Sequence, residues 1–171
     1  MTYQVGYLVG SPSGQSAEHR LARAFARLAP HADLQLTELP ITDLPLYTRD
    51  GEEAVPPAAA TLKQAVTSSD GMLFVTPEYN RTIPAALKNA IDWTAGELDG
   101  KPSAIAATGS TEAAQRHLRD ILTVTNSPVL DQPVAELRAF TEEGEPGDDT
   151  SADFLIAYLS AFRDLIKRKV G

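Results

Sequence analysis

The sequence predicts an α/β fold of three layers, a five-stranded parallel sheet of order 2-1-3-4-5 between two layers of helices. Three observations carry this. Strand-like apolar runs and amphipathic helical stretches alternate along the chain as βαβαβαβαβα, the pattern of a parallel sheet covered on both faces. The run Met72 to Val75 is continuously apolar, as a strand buried on both sides must be. Short polar loops follow three of the strands, and an open α/β sheet binds its ligands at such loops.

Composition narrows the function. With 171 residues, one domain spanning residues 1–171 is expected. There is no cysteine, so disulfides, thiolate metal sites and cysteine nucleophiles are excluded. The three histidines, His19, His31 and His117, lack metal-ligand spacing, and no metal is expected. A net charge of −8 argues against nucleic acid, which requires a basic surface. No apolar run approaches the roughly 20 residues that span a bilayer. The N-terminal stretch carries no basic leader, so the expectation is a cytoplasmic protein without a membrane partner.

The elements follow in order. Tyr3 to Val9 is the first strand. The Gly- and hydroxyl-rich turn Gly10–Ser16 leads into a helix over about 17–29, with Leu21, Phe25 and Leu28 on its apolar stripe and Pro30 ending it. Ala32 to Leu39 alternates as a second strand. Pro40 to Pro57 is long and proline-rich, and it is either functional or a solvated connector. A helix over 58–69 buries Leu62, Ala65 and Val66. After the third strand, Thr82 is expected to cap a helix that has Pro84 in its first turn. Ile83, Leu87, Ala90 and Ile91 form its apolar face. Ser103 to Thr108 is a fourth strand of small residues. Ser110 or Thr111 caps the next helix, Glu112 to about Val124. Pro128–Leu130 and Val134–Leu137 suggest a broken fifth strand. Thr141 to Asp149 is an acidic loop. A last helix starts at the capping-box-like Thr150-x-x-Asp153 and aligns Phe154, Tyr158, Phe162 and Ile166 on one face. Its basic end, Lys167–Lys169, suits the helix dipole.

Strand order 2-1-3-4-5 has its switch point between strands 1 and 3. The loops Gly10–Ser16 and Thr76–Arg81 then face each other, with Thr108–Thr111 alongside. A strand, a Gly/Ser loop and a helix N-terminus form a common anion site; the alternative is a plain turn in which Ser16 caps the helix. Neither the dinucleotide GxGxxG nor the P-loop lysine is present. No nucleophile–base pair appears either, so no catalytic side chain is assigned.

The stretch Thr76–Trp93, TPEYNRTIPAALKNAIDW, resembles the signature of the NADPH-dependent FMN reductase family, which is flavodoxin-like and includes quinone, azo-dye and chromate reductases. Pro77-Glu78-Tyr79-Asn80, Ile83-Pro84 and Leu87 to Trp93 carry the match. Gly10-Ser11, Ser16, Leu21-Ala22 and Leu44-Pro45-Leu46-Tyr47 with Asp50 extend it. The resemblance implies a flavodoxin-like three-layer sandwich that binds FMN. The phosphate would be held by Ser11, Ser13 and Ser16, and the ring would lie against Pro77, Glu78, Tyr79 and Asn80, with Thr108, Gly109 and Ser110 on its other side. It implies hydride transfer from NADPH or NADH to flavin N5 and on to a small-molecule acceptor by a ping-pong route, since the flavin carries the chemistry. It also implies a homodimer or homotetramer. Tyr47 and Arg81 are expected to border the substrate.

Three departures from the family pattern stand out. Ser13 replaces an arginine and Glu18 an asparagine, which removes a cation from the phosphate subsite and brings a carboxylate near it unless Glu18 points outward. Arg81 replaces a small residue; it narrows the opening, contacts NADPH or simply faces solvent. The loop after strand 4 has fewer glycines, so backbone approaches the flavin less closely. Two other functions fit the sequence: a flavodoxin-like FMN electron carrier, and a degenerate scaffold without flavin.

Overall fold

The computed structural model describes residues 1–109, 111–131, 135–136 and 149–170. Ser110, Val134, Leu137 and the 141–148 part of the acidic loop lie outside the described residues, as do the side chains of Asp149 and Thr150. The strands are β1 (Tyr3–Val9), β2 (Leu34–Glu38), β3 (Gly71–Thr76), β4 (Ser103–Ala107) and the two-residue β5 (Ala135–Glu136). The helices are α1 (Ala17–Leu28), α2 (Pro57–Ser68), α3 (Ala85–Thr94), α4 (Glu112–Val124) and α5 (Asp149–Val170). Neighbours in the sheet run β2-β1-β3-β4-β5, and every pairing is parallel. The expected parallel α/β sheet is present, with β5 contributing only two rungs, Ala106 to Ala135 and Ala107 to Glu136.

Strand periodicity divides the core in two. Tyr3, Val5, Tyr7 and Val9 of β1 and Leu73 and Val75 of β3 point to one face, where Leu21, Phe25, Leu159 and Phe162 of α1 and α5 pack. Leu8, Met72, Phe74 and Ile105 point to the other, against Leu62, Leu87, Ile91 and Leu118 of α2, α3 and α4. Both faces of β3 are therefore buried, which is why its sequence shows no apolar–polar alternation. Gly71 opens β3. A Cβ there would lie 2.8 Å from Ile166 Cδ1, so a glycine lets α5 seat flush on the sheet.

The outer edge of β4 is closed piecemeal. Ser103 bridges to Val129 in parallel, and β5 takes Ala106 and Ala107. Between them, the buried Tyr158 hydroxyl of α5 donates to Ile105 O at 2.6 Å and accepts from Ile105 N–H at 3.2 Å. One side chain thus supplies both partners that a missing strand residue would have supplied. Burial drives the Tyr158 phenol far above its ordinary value. Phe154, expected inward on α5, is instead 43% exposed; Leu155 and Leu159 take the buried positions. A period of four drifts around a helix of 3.6 residues per turn, so the buried face moves off Phe154.

Candidate flavin site at the switch point

Three loops leave the carboxyl ends of the adjacent strands β1, β3 and β4, and side chains tie them together. Gly10 N–H donates to Val75 O at 2.8 Å, prolonging the β1–β3 pairing into the first loop. A Cβ on Gly10 would meet Leu87, Pro84 and Thr76 Oγ1, each at 3.3 Å; the first loop rests directly on the start of α3. Within that loop Ser11 is buried, and its Oγ lies 3.4 Å from Ser13 N. Ser16 is the N-cap of α1, its Oγ accepting from His19 N–H at 3.2 Å. Helix geometry leaves the amides of residues 17 and 18 at the head of α1 without intrahelical acceptors, a natural anion seat. Arg20 and Arg23 donate to Gln15 O and Gly14 O, at 3.0 and 3.3 Å. Two guanidinium groups thus sit against the loop whose family arginine is replaced by the exposed Ser13.

Glu18 does not point outward. It is buried, and its Oε1 accepts a hydrogen bond from Thr108 Oγ1, linking the head of α1 to the loop after β4. The sequence marks Glu18 but gives no sign of this partner, which lies 90 residues away. Burial in the first turn of an amphipathic helix was the available signal.

Glu78 serves a purpose the sequence did not reveal. Its Oε2 accepts from Ala113 N–H at 3.0 Å and Ala114 N–H at 3.1 Å. Thr111 occupies the N-cap of α4 but makes no side-chain cap bond. Glu78 therefore caps α4 from another loop, with its negative charge at the positive end of the dipole. Thr82 Oγ1 bonds His117 Nδ1 on the same helix, a second tie between these elements. Thr82 is not the N-cap of α3; Pro84 holds that place.

Between Glu78 and Thr82 the chain reverses tightly. Tyr79 N–H donates to Thr82 O at 2.9 Å and Thr82 N–H to Tyr79 O at 3.1 Å. The central residues Asn80 and Arg81 have φ of 50° and 65°, the signature of a type I′ turn. Pro77, just before this turn, is buried, while Tyr79 is 46% exposed on it. Gly109, φ 73°, has nothing within 4 Å of a built Cβ, so bare backbone faces open space there.

Tyr47 is not brought to these loops. Its N–H donates to Asn89 Oδ1 at 2.8 Å, its hydroxyl donates to Glu52 at 2.6 Å, and its ring stands edge-on to Trp93 at 5.2 Å. Asn89 Nδ2 and Trp93 Nε1 both donate to Pro45 O, at 3.0 and 2.8 Å. Trp93 lies nine residues along α3 from Pro84, roughly 13 Å by helix rise. The Lys-Asn-Ala-Ile-Asp-Trp segment thus fastens the long 40–57 loop.

The family model for NADPH-dependent FMN reductase matches residues 3–141. The chain belongs to that family. It is 34% identical to a 2-hydroxy-1,4-benzoquinone reductase of Burkholderia sp over 96% of this chain and 94% of that one. It is 35% identical to a quinone reductase of Escherichia coli K12, covering 96% of both chains. Among solved structures, the flavoenzyme NAD(P)H:(acceptor) oxidoreductase FerB from Paracoccus denitrificans superposes with a TM-score of 0.88 at 31% identity, covering 98% of this chain and 99% of that one. An archaeal flavodoxin superposes at a TM-score of 0.66 and 11% identity, which speaks to the fold alone. The flavodoxin-like fold expected from the sequence is thereby shown.

Proposed function

We propose that this protein is an NAD(P)H-dependent FMN reductase of the quinone reductase type, acting on a small acceptor by a ping-pong route. The observation that carries the reading is the convergence of three cross-tied loops at the switch point, in a chain whose relatives are quinone and FMN reductases. The residues present fit FMN. Three hydroxyls, the head of α1 and two arginines flank one loop, matching a phosphate monoester. Buried Pro77, exposed Tyr79 and bare Gly109 border the space a flat ring would need. The buried Glu18 carboxylate at the head of α1 would weaken the phosphate subsite, and its hydrogen bond turns it to Thr108.

When bound, FMN supplies the hydride and electron chemistry. The protein's part is to hold and orient. Ser11, Ser13, Ser16 and the α1 amides bind the phosphate. Glu78 holds α4, and with it the loop after β4, against the turn that carries Tyr79 and Asn80. The buried Pro77 would form an apolar wall of the ring's subsite. Arg81, exposed at the turn, borders the opening, where a positive charge favours an anionic nicotinamide nucleotide. Tyr47 orders the long loop beyond α3 and reaches substrate only if that loop or a second subunit closes over the crevice. The same reading extends to a cytoplasmic location and a homo-oligomer.

The test is spectroscopic. Purified protein mixed with FMN should hold the flavin, and NADPH added without oxygen should bleach its visible band quickly, with recovery on adding a quinone. Bound flavin that NADPH leaves oxidised would mark an electron carrier instead. Failure to bind at micromolar FMN would leave a scaffold without flavin.

A further inference from the structure

The head of α1 carries a connected set of polar groups that flavin binding alone does not require. Ser16 Oγ accepts from His19 N–H and lies 3.1 Å from His19 Nδ1. Nε2 of the same ring lies 3.4 Å from Glu38 Oε1, at the end of β2. The other oxygen, Glu38 Oε2, accepts from the Tyr7 hydroxyl of β1 at 3.1 Å. The imidazole is therefore strung between the capping hydroxyl and a carboxylate, with only 15% of its side chain exposed.

A serine hydroxyl has one proton and two lone pairs. The His19 amide uses one lone pair, so the rest depends on Nδ1. In neutral His19 the Glu38 carboxylate favours the ring proton on Nε2. Nδ1 is then a lone pair, and the Ser16 proton turns toward it. When His19 carries a second proton, Nδ1–H donates to the remaining lone pair of Ser16 Oγ. The Ser16 O–H must then leave the ring and seek another acceptor.

We infer that His19 is a positioning residue for the phosphate subsite: protonated, it frees the Ser16 hydroxyl to donate to a phosphate oxygen, and neutral, it withdraws that hydroxyl. This rests on the FMN reading above. An imidazole is the side chain that ordinarily changes charge between about pH 5 and 8. The groups facing it do not duplicate that change. Burial, and after it the Glu38 carboxylate, pushes the Tyr7 phenol up to about 12, so it stays neutral. Arg20 and Arg23 are guanidinium groups and stay charged. Glu18, the preceding residue, is turned to Thr108.

The experiment compares dissociation constants for FMN and riboflavin, from quenching of flavin fluorescence, at about pH 6 and pH 8. The ratio of riboflavin to FMN constants isolates the phosphate. The free phosphate's own titration, near pH 6, is common to every variant and cancels when variants are compared at one pH. At the lower pH the wild-type ratio should exceed that of His19→Gln by roughly 5- to 10-fold, the worth of one charge-assisted hydrogen bond. At the higher pH the two should agree within about twofold. Ser16→Gly, which costs the helix cap only a few tenths of a kcal/mol, should lose the low-pH gain, and adding His19→Gln to it should change nothing further. The inference is overturned if His19→Gln keeps the wild-type pH profile, or if Ser16→Gly retains the His19-dependent gain, which would mark a long-range charge effect. A wild type that binds neither flavin at either pH overturns the FMN reading itself and this inference with it.

Discussion

Arg81 has φ of 65° at the second centre of a type I′ turn, a place where glycine is the usual residue. A Cβ in this left-handed region costs about 1–2 kcal/mol. Asn80, at φ 50°, tolerates the same region through its short polar side chain. Arg81→Gly should therefore relieve strain, offset in part by the added freedom of glycine in the unfolded chain. The expected net gain is about 0.5–1 kcal/mol, or roughly 2 °C in Tm for a chain of this size. Thermal melts of the two proteins check it; a lower Tm would show that the Arg81 side chain makes stabilising contacts that outweigh the strain. Under the proposed function, that strained position places the Arg81 side chain beside the site, where backbone strain often accompanies binding. Glu78 shows the complementary case: a residue at the centre of the family motif is engaged in structure, holding the α4 amides.

Among the elements, the edge of β4 shows how a helix can replace a strand. The described residues of β5 pair with Ala106 and Ala107, not with Ile105. Tyr158 reaches across from α5 and meets both backbone groups of Ile105. Tyr158→Phe keeps the ring, including its tilted packing at 6.0 Å on Phe25, but leaves a buried N–H and C=O unpaired. Leaving such groups unsatisfied costs about 1–3 kcal/mol. A fall of that size in unfolding free energy from urea titration is expected, with an unchanged m-value. An unchanged midpoint would mean that water or a shifted β5 takes over. α3 works in a different way. Asn89 and Trp93 converge on Pro45 O, so the motif that resembles a flavin signature also staples the long loop.

For the molecule as a whole, two raised phenols set a pH limit. Burial is the first cause for both Tyr7 and Tyr158. A phenol whose folded value is raised contributes stability that is complete below its unfolded value, about 10, and is lost as pH climbs toward the folded value. Tyr7 reaches about 12. Stability should therefore hold up to about pH 10 and fall between about 10 and 12. The double variant Tyr7→Phe and Tyr158→Phe, less stable at neutral pH, should show a shallower fall over that window. Parallel curves would show that other groups cause the alkaline loss. The parallel sheet, both helical layers and the three polar loops were legible in the sequence, because periodicity and turn chemistry are local and the β3 motif is contiguous. The Glu18–Thr108 bond, the Glu78 cap on α4, the Tyr158 bridge to Ile105 and the Ser16–His19–Glu38–Tyr7 set were not. Each joins residues from separate elements, and only packing of the helices on the sheet decides which side chains meet. Residue order alone thus dictated the architecture and the edge at which the three polar loops converge. Packing in three dimensions settled which polar residues at that edge remain for a ligand and which hold the loops together, because a buried carboxylate or hydroxyl must find its hydrogen-bond partner wherever the fold provides one.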